Sequence, residues 1–339
     1  MVNAQMKKWF DSHALWLSML IGALGYKWFL PLKPLLPWLI FFMLFFTFCK
    51  VNPLDLRLHK WHWVVLTTQL IFSFVTYTLV MHFSGDPILA QGLLMCFIMP
   101  TATAAPIIAG KMGGSIQNLT TFTLLSNFAT AIIVPATFPL INYQLPISNY
   151  QFAEQFWPAF LLILSRVAPL LLGPFFSAWL LRIIYKWRIQ KEFVLPVKIA
   201  VIPFYLWVAS IVVLTATVTE TTLTNYQSQI TNILILLVCS FFACLFQFGL
   251  GKLIGYYFPA PSKGTDYQDV LINPAAAPKT MAGVSSITAG QAFGQKNTSL
   301  GVWMAQTYLD PLSSLGAAAY IIWQNLFNSL QLTLAAHKK

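Results

Sequence analysis

Apolar residues run along this chain in stretches of about 20, the length a helix needs to cross the hydrocarbon core of a bilayer. Short polar or basic connections separate them. Ten spans are predicted, at 12–29, 33–49, 62–82, 88–111, 116–142, 156–184, 195–218, 229–258, 275–307 and 310–334. Alternating-polarity strands of the outer-membrane type are absent from the pattern, so the predicted fold is all-α and integral to the membrane. Two spans are interrupted. The fourth reads MPTATAAPIIAGKMGG (99–114), with Pro100, Pro106 and a glycine cluster. The ninth reads NPAAAPKTMAGVSSITAGQAFGQKNTSLG (273–301), with Pro274, Pro278, Gly283, Gly290, Gly294 and Gly301. Proline removes an amide donor and glycine weakens a helix.

The interrupted spans hold the same place, fourth of five, in the two halves of the chain. Each carries lysine, Lys111 in the first and Lys279 and Lys296 in the second. Interrupted segments at matching positions point to a secondary transporter built from inverted repeats, with its site where exposed helix ends meet near mid-membrane. A five-helix repeat has an odd number of spans, so its second copy inserts upside down. A polar patch follows each break, GGSIQNLTT (113–121) and FGQKNTSL (293–300). Gln117-Asn118 in one echoes Lys296-Asn297 in the other, with threonine close behind in both. The echo makes Asn118, Lys296, Asn297 and Thr298 candidate substrate ligands. The structural alternative is a pair of kinked helices whose small residues permit close packing.

Composition supports the membrane assignment. Hydrophobic residues make up 58% of the 339 and charged residues 9%, and the mean hydropathy is +0.69, against about 25% charged residues in soluble domains. The net charge of +11 is informative through its distribution. Lys7, Lys8, Lys50, Arg57, Lys60, Arg182, Lys186, Arg188, Lys191, Lys198, Lys252, Lys263, Lys338 and Lys339 fall on one side of the predicted topology. The opposite connections, 82–87, 143–156 and 219–228, contain no Lys or Arg. Both termini are therefore predicted cytoplasmic, in a bacterial inner membrane, with Lys27 and Lys33 as exceptions. No basic run with interleaved aromatics indicates nucleic acid. The expected partners are the lipid bilayer and a small organic anion; the oligomeric state stays open. Cys49, Cys96, Cys239 and Cys244 form no C-x-x-C pair and read as small core residues. Trp61, Trp63, Trp157 and Trp187 read as interfacial anchors, and Asp310-Pro311 as a helix N-cap followed by proline.

None of the nine acidic residues falls within a broken segment. His13, His59, His62, His82 and His337 are scattered, with no metal spacing and no aspartate cluster. An intramembrane enzyme acting on lipids is thus the weaker reading, and no metal or other cofactor is expected. Lys296 admits several roles. It can bond helix-end carbonyls, hold the crossing together as a tethered cation, release a proton, or pair with an anionic substrate. Arg166, in ILSRVAPLLLG, can face the substrate or bond carbonyls freed near Pro169. Ser126 and Asn127 can line the crossing or bond a neighbouring helix.

Several local stretches resemble the bile acid:sodium symporter family, within the wider cation/proton antiporter-like superfamily, over about residues 30–334. PLLPWLIFFMLFFTF (34–48) is similar to the family's second helix, and Gln69 in TTQLIFSF sits where the family has a glutamine. MPTATAAP resembles its Pro-Gly-Gly-Thr-Ala-Ser-Asn segment, with Pro100, Thr103 and Ala104 matching. FGQKNTSLG resembles its Glu-x-Gly-x-Gln-Asn-Ser-Gly-Leu-Ala segment, with Gly294, Asn297 and Leu300 matching. IIWQNLFNS resembles its closing helix. The resemblance implies ten helices, with the fourth and ninth discontinuous and crossing. It implies a panel domain (1–60 and 143–227) and a core domain (61–142 and 228–339). It places Thr103 and Asn297 near substrate, Gln69 and Thr123 near sodium, and implies alternating access for a bile-acid-like or other carboxylate or sulfonate anion.

The departures matter as much. Ala105-Pro106 replaces a Ser-Asn pair, Ala292 replaces the glutamate, and Lys296 replaces a glutamine. Gln291 lies one residue from the lost glutamate, and Gln295 beside Lys296 belongs to the same ion-site region. An ammonium 4 Å from a sodium ion is repelled by about 4 kcal/mol at an effective dielectric of 20. The expectation is a secondary transporter that is not sodium-coupled at this site. Proton-coupled or cation/proton exchange is the alternative.

Overall fold

A computed structural model describes residues 2–141, 151–191, 193, 195, 196, 199, 201–261 and 277–336. Pro274, Lys198, Lys263, His337, Lys338 and Lys339, and most of the 143–156 connection, lie outside the described residues, as do the side chains of Lys7, Lys8 and Lys279. The helices are α1 (Val2–Leu24), α2 (Tyr26–Phe29), α3 (Leu36–Phe48), α4 (Lys60–Ser84), α5 (Pro87–Ile98) and α6 (Ala105–Lys111). They continue as α7 (Ile116–Ile141), α8 (Gln151–Ile189), α9 (Ile202–Tyr257), α10 (Ala277–Gly294), α11 (Thr298–Tyr308) and α12 (Ser314–Ala336). No strand is present among the described residues; one isolated bridge joins Thr101 and Lys296. Among the described residues, five stretches are long and apolar enough to cross a membrane: Tyr26–Phe48, Lys60–Ser84, Ile116–Ile141, Phe156–Ile189 and Ile202–Tyr257.

Three expectations need correction. The 219–228 connection is helical, and only Gln229 leaves helical geometry (φ −127, ψ 17) within the 56 residues of α9. The polar run there reads as a loop, yet it lacks glycine and proline. Its side chains bond back one turn, Thr221 to the Thr217 carbonyl (3.0 Å) and Asn225 to the Thr221 carbonyl (2.8 Å). A 56-residue helix would be about 84 Å long if straight, far more than one bilayer crossing, so the break at Gln229 divides it. Trp61 is not an interfacial anchor. It is wholly buried, packed between His62 and Phe122, whereas Trp63, Trp157 and Trp187 are exposed. The polar echo at Gln117-Asn118 is also in the wrong register, as the crossing described below makes plain. Asp310 does cap the turn that follows, accepting from the Leu312 amide at 2.8 Å.

The second half of α9 lies directly on α10. A Cβ on Gly255 would collide with the Ser285 carbonyl, and one on Gly251 with the Ala289 carbonyl. Nothing lies within 4 Å of the corresponding position at Gly249. Gly255→Ala is therefore expected to lower stability by about 1–3 kcal/mol, with Gly249→Ala near neutral. Thermal unfolding of the purified variants checks this; equal losses at both positions would contradict the packing.

Candidate functional site at the helix crossing

α5 ends at Ile98, and the chain regains helix only at Ala105. α10 ends at Gly294, and α11 begins at Thr298. The two breaks meet antiparallel. The Ala102 amide donates to the Gln295 carbonyl (2.9 Å), and the Asn297 amide donates to the Pro100 carbonyl (2.7 Å). Side chains repeat the exchange. Thr101 Oγ1 donates to the Ala292 carbonyl at 2.6 Å, and Lys296 Nζ donates to the Phe97 carbonyl at 3.1 Å. Each acceptor lies four residues before the donor on its own strand, Phe97 before Thr101 and Ala292 before Lys296. The backbone amides of the same two residues also have matching partners. Thr101 N donates to Ser126 Oγ (3.1 Å), and Lys296 N donates to Gln324 Oε1 (2.9 Å).

The last carbonyls of a helix lack intrahelical partners and carry the negative end of its dipole. At α5 side chains from three other elements meet them. Gln247 Nε2 donates to the Cys96 carbonyl (3.1 Å), Lys296 Nζ to Phe97, and Gln69 Nε2 to Met99 (3.0 Å) and Ile98 (3.4 Å). Lys296 is wholly buried, and its ammonium also sits 5.0 Å from the centre of the Phe293 ring, an attractive placement for a cation. An intramembrane ammonium is costly. Here a helix C-terminus and an aromatic face offset part of that cost, with no carboxylate lining the site among the described residues.

Beside the crossing lies a cavity of about 320 Å³, at the small end of the range for small-molecule sites. Thr103, Gln295, Lys296, Asn297, Thr298 and Ser299 form the wall at the two breaks. Gln324 and Asn325 of α12 add amides. Met43, Thr47 and Lys50 come from α3 and the turn after it, and Pro203, Phe204 and Trp207 from the start of α9. Lys50 and Lys296 are the only ionisable groups on these walls among the described residues. Partial burial lowers the pKa of Lys50 below its usual value, a penalty that a bound anion reverses. Asn297 caps α11 by accepting from the Leu300 amide (3.3 Å), which leaves its buried Nδ2 without a partner. Gln295 Oε1 is likewise buried and unpartnered.

Of the residues singled out in the sequence, Thr103, Gln295, Lys296, Asn297 and Thr298 line the cavity. Gln69 and Ser126 support the crossing from behind. Thr123 and Asn127 bond their own helix, at the Leu119 carbonyl (2.9 Å) and the Thr123 carbonyl (2.7 Å). Gln291 reaches Gln331 at 3.4 Å. Asn118 and Arg166 do not join the cavity. Asn118 Nδ2 donates to the Pro261 carbonyl (3.0 Å), and its own carbonyl meets His62 Nε2. Arg166 is exposed on α8, beside Tyr308 of α11. Lys111 is exposed at the end of α6. Lys50, Phe204 and Trp207 belong to no motif, and Gln324 was not singled out within IIWQNLFNS, so sequence reading missed all four as cavity residues.

Gln69 Oε1, Asn127 Oδ1 and Gln291 Oε1 are buried acceptors without partners, the kind of group a cation would satisfy. The donor set at the position the symporter resemblance assigns to sodium does not fit that ion, however. Ala292 supplies no carboxylate, and the Lys296 side-chain nitrogen occupies the carbonyl end of α5.

An all-helical membrane protein in which two broken segments meet beside a cavity has the features of a membrane transporter. The chain belongs to the SBF-like CPA transporter family, whose sequence profile matches residues 38–337. That agrees with the resemblance to bile acid:sodium symporters read from local motifs. No curated protein matches the chain.

Proposed function

We propose that this protein is a secondary active transporter of a small organic anion, a carboxylate or sulfonate, working by alternating access without sodium at the crossing. The observation that carries the reading is the buried Lys296 side chain on the Phe97 carbonyl, beside a cavity whose only ionisable groups among the described residues are lysines. A fixed ammonium at the negative end of α5 does the electrostatic work of a bound cation, and it does so in every cycle. The paired hydrogen bonds at the crossing support two inverted five-helix repeats with the fourth and ninth helices discontinuous. The cavity walls support a panel (1–60 and 143–227) facing a core (61–142 and 228–339). With cytoplasmic termini, the cavity opens inward. The protein is then a carrier and not an enzyme, resident in the bacterial inner membrane.

Polar contacts fasten the opposite half. Gln306 of α11 accepts from Lys33 Nζ (3.3 Å) and donates to Thr221 Oγ1 of α9 (3.1 Å) and Ser314 Oγ of α12 (2.9 Å). Lys33, an exception to the charge pattern, thus has a bonded place. In this reading the clasp joins panel to core and closes the outer side. Each such bond contributes about 0.5–1.5 kcal/mol, so Gln306→Leu is expected to shift the equilibrium roughly 10-fold or more toward outward-open. Maleimide labelling of Asn325→Cys from the cytoplasmic side should slow accordingly. An unchanged rate would remove the clasp from the gate.

Uptake of labelled carboxylates and sulfonates into proteoliposomes tests the proposal. Uptake should be the same in sodium and in choline buffers; strong sodium dependence would overturn it. Lys296 has one oxygen partner, which suits a neutral amine as well as an ammonium, so proton coupling is the second reading. Uptake driven by an imposed pH gradient and lost in Lys296→Gln would select it.

A further inference from the structure

Lys27, Lys33 and Arg166 stand apart from the basic cytoplasmic clusters, and Arg166 lies within the Phe156–Ile189 span. Basic residues on the outer side run against the positive-inside bias, and a cation inside a span carries an insertion cost. Lys27 shares a shallow hollow with Glu220. The other two rest on the last turn of α11, and both partners are neutral. Lys33 Nζ, from the 3-10 turn before α3, donates to Gln306 Oε1 at 3.3 Å. Arg166 of α8 lies beside the Tyr308 side chain. The Tyr308 ring is packed by Trp303 (5.7 Å between centroids) and Phe138 (6.5 Å). No ion pair joins Lys33 or Arg166 to a carboxylate among the described residues. Two carboxylates of this side have other work. Asp310 Oδ1 accepts from the Leu312 amide (2.8 Å). Asp86 caps α5 through one oxygen and accepts from Asn232 through the other (2.7 Å).

We infer that Lys33 and Arg166 form an anion-selecting mouth on the outer side: the two panel cations that rest on α11 in the closed state line the entry once it opens. The inference rests on the inward-open, panel-and-core reading above and adds how an anion is chosen before it reaches the cavity. The neutrality of the partners is what points to it. A carboxylate partner would hold the gate by an ion pair and, on opening, would stand in the mouth and repel an arriving anion. An amide oxygen and a tyrosine side chain release the cations without breaking an ion pair and leave no negative charge behind. Parted from α11, the two cations stand on separate panel elements with one sign of charge between them. A cleft lined by one sign of charge raises the arrival rate of the opposite sign by about tenfold or more at low ionic strength. Gate and charge filter are then the same residues.

Charge-selective labelling tests this without a substrate. Gln306→Cys opens the clasp and supplies a thiol at the mouth. Right-side-out membrane vesicles carrying the full chain are treated with a sulfonate-bearing or a trimethylammonium-bearing methanethiosulfonate. Each rate is normalised to that of the same reagent with 2-mercaptoethanol, and labelling is read by mass on the purified protein. Gln306→Leu, with the native cysteines only, gives the background. The sulfonate reagent should be favoured about tenfold at about 10 mM salt, and the preference should fall toward one at about 1 M as screening tightens. Adding Lys33→Gln and Arg166→Gln should abolish the preference, whereas Lys33→Arg with Arg166→Lys should keep it. A ratio near one in low salt, a preference that survives both glutamines, or a thiol that external reagents do not reach would overturn the inference. Should the glutamine variants fail to fold, the salt series on Gln306→Cys alone decides: a preference indifferent to salt overturns it. No transported anion enters the assay, so the organic-anion reading is judged separately, by uptake.

Discussion

Lys296→Met is expected to yield a protein at least as stable as the wild type and unable to transport. Two terms compete in the stability. The substitution leaves the Phe97 carbonyl without its donor, and an unsatisfied buried acceptor costs about 1–3 kcal/mol. It also removes a buried cation with no carboxylate beside it, and a lysine at the bilayer centre costs about 2.5–3.5 kcal/mol on insertion scales. The second term is the larger, and Met fills most of the same volume against Phe293. Transport should fall at least about 100-fold if the ammonium balances the α5 terminus in each cycle, since a buried charge is worth several kcal/mol to the state that needs it. Melting temperature and uptake, measured on the same preparation, separate the roles. A large drop in melting temperature with uptake preserved would make Lys296 a structural residue only.

Asn297→Asp is expected to abolish anion binding while leaving α11 capped. Aspartate is as good an N-cap as asparagine, so acceptance from the Leu300 amide survives. What changes is the other side-chain atom, the buried and unpartnered Nδ2 of a cavity-lining residue, which becomes a carboxylate oxygen. Two like charges at 4 Å repel by about 4 kcal/mol at an effective dielectric of 20. Lys296 moderates this, and a loss of at least roughly 100-fold in affinity remains the expectation. Titration with 2-naphthoate alongside a melting curve checks it. Affinity within a factor of a few of wild type would mean that anions do not bind at Asn297.

The interruptions themselves were legible because proline, glycine and lysine are anomalous in apolar spans, and the two interrupted segments do meet. Which residues pair across the meeting was not legible. Matching residue types led to Gln117-Asn118, whereas the structure pairs Thr101 with Lys296. A hydroxyl and an ammonium look unrelated, yet each donates to a carbonyl at the same offset on the other strand. Spacing from the helix end carried that information; residue identity hid it. Trp61 misled for another reason. A helix that is apolar all round has no polar face to show which side is buried, so an aromatic near its end reads equally as anchor or core. The run 219–228 looked like a loop by polarity, but hydroxyl and amide groups that bond back one turn are compatible with helix. Lys50 reaches the cavity from the turn after α3 and Phe204 and Trp207 from the start of α9, and only tertiary structure brings them together.

The meeting of the two breaks is built chiefly from main chain: Ala102 to Gln295 and Asn297 to Pro100 join amide to carbonyl. Any amino acid other than proline at the two amide donors can make those bonds, and any at all can supply the carbonyls. The scaffold that brings the breaks together therefore does not depend on the chemistry of the side chains that radiate from it. In the proposed reading, the lysine at position 296 changes what the carrier runs on without redesigning its frame. On that proposal, variants at 101, 103, 296 and 297 are the economical place to alter energy coupling while the main-chain frame stays as it is.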